Sequence, residues 1–199
     1  MRDLVYYVAT SLDGFVAGPR GEVDDFALDP RLLAELFERY PETCPAHLRG
    51  PLGVTGDARR FDTVVLGART HQPALDAGLT SAYPHLQQHV VTHRELPDDP
   101  SVTRVEGDVV AHVAALRSAP GRDIWLCGGG DLAGQLVDLV DLVDLVDELQ
   151  LKVNPVLLGE GVPLARLGYA GRAWRLADVE RLPGDVVLLT YRRRDEGVG

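Results

Sequence analysis

The run Asp123-Ile124-Trp125-Leu126-Cys127-Gly128-Gly129-Gly130-Asp131-Leu132-Ala133-Gly134 carries more structural information than any other stretch of the chain. Its first five residues suit a buried strand, and the residues after the glycines open a helix. The three glycines leave backbone N–H groups bare beside the positive end of that helix, an arrangement that suits a pyrophosphate. The same residues also make a plain strand-to-helix turn with no ligand, and the stretch alone does not separate the two. It fits Gly-x-Gly-x-x-Ala as well, but that dinucleotide fingerprint follows a first strand and is answered about 20 residues on by an acid at a strand end. Here the acid would be Glu148, at a strand start, so a true Rossmann domain is the weaker reading.

Outward from this point the chain alternates strand and helix. Residues 4–10 read as a buried strand leading into the tight Asp13-Gly14 turn. Asp29 caps a helix that opens at Pro30 and runs to about Arg39. Residues 41–56 hold too much Pro and Gly for regular structure, and a loop of that length is a lid, an interface or a mobile segment. Strands follow at 63–66, 88–92, 102–105 and 123–127, with a helix from 68 to 77 interrupted at Pro73 and another capped by Asp108. This alternation argues for a mainly parallel sheet covered on both faces. Strands at 148–156, 173–180 and 185–193 have no helix between them, so the sheet should finish antiparallel. The repeated Asp-Leu-Val of residues 138–147 leaves no single apolar helix face, so the helix should end inside it.

Composition excludes several classes. The chain has 199 residues, 45% of them hydrophobic and 25% charged, as expected for a single globular domain spanning 1–199. A formal charge of −10 disfavours nucleic acid, and Arg192-Arg193-Arg194 reads as a solvated strand end. No apolar run is long enough to cross a membrane and no leader is evident, so a cytoplasmic protein is expected. Two cysteines cannot make a disulfide framework, and Cys127 suits a small buried residue better than a nucleophile. The single lysine, Lys152, lies in a strand-like run, which rules out a Walker loop; no Gly-x-Ser-x-Gly elbow exists either. His85, His89 and His93 would stack on a helix, but residues four apart on a strand are about 13 Å apart, so no metal site is expected.

Five stretches taken together resemble the dihydrofolate reductase-like superfamily. They are Val8-Ala9-Thr10-Ser11-Leu12-Asp13-Gly14, Val64-Val65-Leu66-Gly67-Ala68-Arg69-Thr70, Val90-Val91-Thr92-His93-Arg94, Cys127-Gly128-Gly129-Gly130-Asp131-Leu132 and Asn154-Pro155-Val156-Leu157-Leu158-Gly159-Glu160-Gly161. With Pro163-Leu164, the last is similar to the C-terminal reductase domain of the bifunctional riboflavin-biosynthesis deaminase-reductase. The resemblance implies an α/β, three-layer fold: a mixed, mainly parallel sheet of about eight strands with helices on both faces. It also implies a homodimer and an NADPH-dependent reductase acting on a small heterocyclic or imine/carbonyl substrate. The alternative is a nucleotide-binding module that keeps the cleft without catalysis.

Carried over by position, Ala9 would face the nicotinamide, and Gly67, Arg69 and Thr70 the pyrophosphate and ribose. Thr92, His93 and Arg94 would flank the 2′-phosphate, and Gly128, Gly129, Gly130, Asp131 and Leu132 would hold the pyrophosphate. A guanidinium after a strand end suits a phosphate monoester on physical grounds alone. Ala68 stands where relatives carry a basic residue, so 2′-phosphate recognition would rest on Arg69, His93 or Arg94. For a proton donor the candidates are Asp24, in the loop after the first strand, and Asp13, which equally well fixes the turn. The resemblance further implies a cis peptide between Gly128 and Gly129, and Gly129→Ala should then obstruct both the turn and the phosphate.

Overall fold

A computed structural model describes residues 1–137, 145–166 and 173–194. In chain order the elements are β1 (Leu4–Thr10), β2 (Phe15–Ala17), α1 (Pro30–Arg39), α2 (Ala46–Arg49), β3 (Phe61–Gly67), α3 (Ala68–Asp76), β4 (Gln87–Val91) and β5 (Val102–Val105). They continue with α4 (Val109–Ser118), β6 (Asp123–Cys127), α5 (Gly130–Val137), β7 (Glu148–Val153), β8 (Val162–Pro163), β9 (Trp174–Arg181) and β10 (Val187–Arg193). Most of the Asp-Leu-Val repeat, and the helix end expected inside it, lie outside the described residues.

Eight strands form one sheet in the order β5-β4-β3-β6-β1-β7-β10-β9, and β2 pairs with β8 in a separate ribbon. β1 and the middles of β3 and β6 are apolar because both faces of the sheet are covered there. Along β1, Leu4 and Tyr6 enter one core with Val113 of α4 and Leu136 of α5, while Val5 and Tyr7 enter the other with Leu32 and Leu36 of α1. Local signals hold where they were expected. Asp29 accepts the N–H of Arg31 and Asp108 that of Ala111, each satisfying a donor the first turn leaves open.

The sheet finishes antiparallel, as expected: β7 is parallel to β1, and β10 slots between β7 and β9, antiparallel to both. Two expectations need correction. Helix α3 continues through Pro73 to Asp76, at the cost of one donor. Residues 41–56, expected without regular structure, hold the short helix α2, and the fully buried Glu42 carboxylate accepts the backbone N–H groups of Arg59, Arg60 and Phe61. Arg49 donates from the same segment to the carbonyls of Pro41 and Gly56, closing it on itself.

Where the parallel strands begin, charges are paired. Arg60 meets Asp123 and Glu148, Arg117 meets Asp147, and Arg192 reaches the other oxygen of Glu148. With Arg193 beside Asp147, most of the C-terminal arginine run is engaged in ion pairs, not simply solvated. The arginines near the opposite end of the sheet, where the strands finish, are therefore the ones left for a ligand. Among the described residues no helix is long and apolar enough to cross a membrane.

Candidate functional site

The carboxyl ends of β1, β3, β4 and β6 lie side by side, and open parallel sheets bind ligands in the crevice outside such ends. Helix α3 starts directly from Gly67, which puts Arg69 and Thr70 in its first turn. Past β4, the buried Thr92 hydroxyl accepts the Arg94 N–H at 3.0 Å and turns the chain back. A cavity of about 350 Å³ results, lined by Ala68, Arg69, Gln72, Val91, Thr92, His93 and Arg94. Four residues singled out from the sequence thus surround one space, with two guanidinium groups on it.

Thr70 links this cavity to the glycine turn. A Cβ on Gly128 would come within 2.1 Å of the Thr70 hydroxyl, and the backbone there has φ +99°, a region side chains avoid. Gly129 also has positive φ (+39°) but faces open space. The two peptides beside these glycines are trans, since no cis peptide occurs among the described residues. That corrects the expectation for Gly128–Gly129: two successive positive φ angles turn the chain without it. Gly130 opens α5, where a Cβ would meet the Pro163 carbonyl at 2.1 Å, so its bareness serves packing. The first-turn N–H groups of Gly130, Asp131 and Leu132 have no acceptor within the helix. The Asp131 carboxylate pairs with the Arg166 guanidinium at 2.6 Å.

On the far side of Gly128, a second and largely apolar cavity of about 440 Å³ lies between α1 and the sheet. Ala9 and Tyr7 of β1, Trp125 and Cys127 of β6 and Lys152 of β7 form its floor, and Leu32, Leu36 and Phe37 of α1 its wall. Phe26 and Ala27 cover part of it, held in place because the Asn154 side-chain oxygen accepts the Ala27 N–H at 3.0 Å. Burial pushes the Cys127 thiol up to about 12, against a small opposing pull from Lys152. Burial lowers the Lys152 ammonium to about 8.

Neither acidic candidate lines this cavity. Asp24 is exposed on the loop before α1. Asp13 accepts hydrogen bonds from the Ser11 hydroxyl at 2.6 Å and from the N–H groups of Gly159 and Leu158 at 2.7 and 3.1 Å. Those donors, the hydroxyl first, hold its carboxyl down at about 2, so it ties the β1–β2 turn to the loop before β8. The three spaced histidines separate: His85 meets the Glu42 carbonyl, His89 meets His112, and His93 lines the first cavity. Sequence reasoning missed Lys152 and Asn154 as site residues. A lone lysine on the strand face it shares with Glu148 and Gln150 was the available signal.

A sheet whose only antiparallel member is inserted second from one edge, with a glycine turn and a basic cavity along its carboxyl ends, defines a dihydrofolate reductase-like protein. The RibD C-terminal domain model matches residues 2–188, and the chain belongs to that family. YwjB of Bacillus subtilis (strain 168), a protein of uncharacterised function, is 30% identical over 166 residues, 82% of each chain. A protein of Shewanella sp. PV-4 assigned to riboflavin biosynthesis aligns with a TM-score of 0.68 at 24% identity, over 98% of this chain and 100% of its own. Dihydrofolate reductase from Enterococcus faecalis, in complex with NADP(H), aligns with a TM-score of 0.58 at 15% identity over 97% of both chains. Family and fold together support a reductase-like role.

Proposed function

We propose that the protein is an NADPH-dependent reductase of the riboflavin-pathway type (5-amino-6-(5-phosphoribosylamino)uracil reductase-like), acting on a small heterocyclic or imine/carbonyl substrate. One observation carries this reading: Thr70, next to Arg69 of the basic cavity in the first turn of α3, lies against Gly128, which lines the apolar cavity, so the basic cavity, the glycine turn and the apolar cavity follow one another along the carboxyl ends of the sheet. The residues present fit the cofactor. Arg94, Arg69 and His93 would take the 2′-phosphate, and the N–H groups of Gly129 to Leu132 the pyrophosphate, beside the open space at Gly129. Ala9, with its small side chain on the floor of the apolar cavity, leaves room for a flat ring. When bound, NADPH supplies a hydride. The walls from α1 and β1 would exclude water and orient the substrate, while Lys152 is the one charged group they surround. Asp24 as proton donor would need the 18–29 loop to move inward. Among the described residues no second cation lines the cavity to hold a substrate phosphate.

The second reading, a nucleotide-binding module without catalysis, draws support from the lack, among the described residues, of any carboxylate on the apolar cavity's lining. In either case the partners are small molecules, with no nucleic acid or membrane, in a cytoplasmic homodimer. Isothermal titration is expected to give NADPH an affinity about 10- to 100-fold above NADH, the worth of one charge-assisted phosphate contact. Arg94→Ala should remove that difference. Equal affinities in the unaltered protein overturn the assignment of the basic cavity. NADPH oxidation measured over pterin and pyrimidine substrates then separates the two readings, since binding without turnover favours the second.

A further inference from the structure

Among the described residues the apolar cavity holds one charge, Lys152, and it is the only lysine in the chain. Its ammonium lies 3.6 Å from the centre of the Tyr7 ring, and no hydrogen bond or ion pair engages it among the described residues. Glu148, in step with Lys152 on the same face of β7, is four residues back, about 13 Å along the strand. It is already paired with Arg60 and Arg192. An aromatic face offsets part of what an ammonium loses on leaving water, but it brings no counter-charge.

We infer that Lys152 receives the negative group of a flat, ring-bearing monoanion whose ring lies among Tyr7, Trp125 and the Leu32, Leu36 and Phe37 wall of α1. A carboxylate or an ionised ring lactam would supply the missing counter-ion, and the apolar walls would desolvate the ring. A single ammonium suits one negative charge; a phosphate ester would ask for a second cation that the cavity does not provide. The inference rests on taking this cavity as the substrate site, but its test needs no cofactor.

The full chain, free of nucleotide, is titrated calorimetrically with 2-naphthoate and with its neutral amide. Naphthoate should bind about 10- to 100-fold more tightly. Lys152→Met should abolish the difference and Lys152→Arg retain it. A readout independent of variants comes from proton linkage near pH 8, where an arriving anion raises the Lys152 pKa and draws in a proton. The groups facing Lys152 do not titrate there: burial holds the phenols of Tyr7 and Tyr83 and the thiol of Cys127 well above that range, and α1 presents only apolar side chains. Proton uptake on naphthoate binding, read from buffers of different ionisation enthalpy, is therefore expected. Equal affinities for acid and amide, or no uptake, overturn the inference even if Lys152→Met fails to fold. Loss of NADPH binding or oxidation with the naphthoate preference intact overturns the reductase reading alone.

Discussion

His89 shows how one residue's surroundings decide its chemistry. It sits on β4, only 7% exposed, with its Nδ1 3.0 Å from the His112 Nε2 of α4, the two rings sharing one hydrogen bond. Burial, and then the neighbouring His112 and Arg2, lower its pKa to about 4. In an unfolded chain the same imidazole titrates near 6.5, so between those values the unfolded state binds more protons. Stability is therefore complete above about pH 6.5 and falls as the pH drops toward 4, by roughly 2–3 kcal/mol from this residue. Burial shifts His71 and His85 in the same direction, so the test is a difference. Urea unfolding at pH 7 and pH 5 should show a smaller loss for His89→Leu than for the unaltered protein. Equal losses would remove His89 from the account.

At the scale of elements, the glycine turn separates two effects of adding a methyl group. Gly129→Ala meets nothing in the folded chain and bears only the left-handed backbone cost of about 1–2 kcal/mol, yet its methyl would stand where the pyrophosphate is proposed to lie. Gly128→Ala adds a collision with Thr70 and should lower the unfolding midpoint more. Gly129→Ala is thus expected to weaken NADPH binding at least tenfold while melting within a few degrees of the unaltered protein. Normal NADPH affinity in that variant would place the pyrophosphate elsewhere. Reading these elements from sequence worked where the determinants are local: the Asp29 and Asp108 caps, the strand before Gly128 and the apolar run of β1 all depend on near neighbours. It stopped short where contact is distant. Glu42 finds its donors 17 to 19 residues away, and β10 finds its place only through pairing with β7 and β9. Lys152 belongs to an intermediate case, because strand parity tells which face it shares but not that α1 builds an apolar wall opposite.

Across the whole molecule, charge is distributed by depth along the sheet. Ion pairs tie the end where the parallel strands begin, and Arg69 and Arg94 are left to the other end. Along one edge, β9 presents Leu176 and Val179, each about half exposed, opposite Tyr191 and Leu189 of β10. Apolar residues of this kind on an exposed edge strand need cover or become a liability. A homodimer formed through β9 would give that cover. Light scattering at micromolar concentration is expected to return about twice the 21.6 kDa of one chain, and replacement of both Leu176 and Val179 by Lys should return the single-chain mass. A single-chain mass for the unaltered protein would rule the dimer out.

The strand order also sets a schedule for synthesis. β1 leaves the ribosome before the strands it pairs with, β6 and β7, so it has no sheet partner until about residue 127 has emerged and no second one until about residue 153. For most of translation its apolar run must stay unpaired, and the sheet closes only when β10 slides between two strands made before it. Non-local pairings of this kind fold slowly and expose unfinished edges on the way. The centre of the molecule, laid down before its partners, is thus among the last parts to become secure.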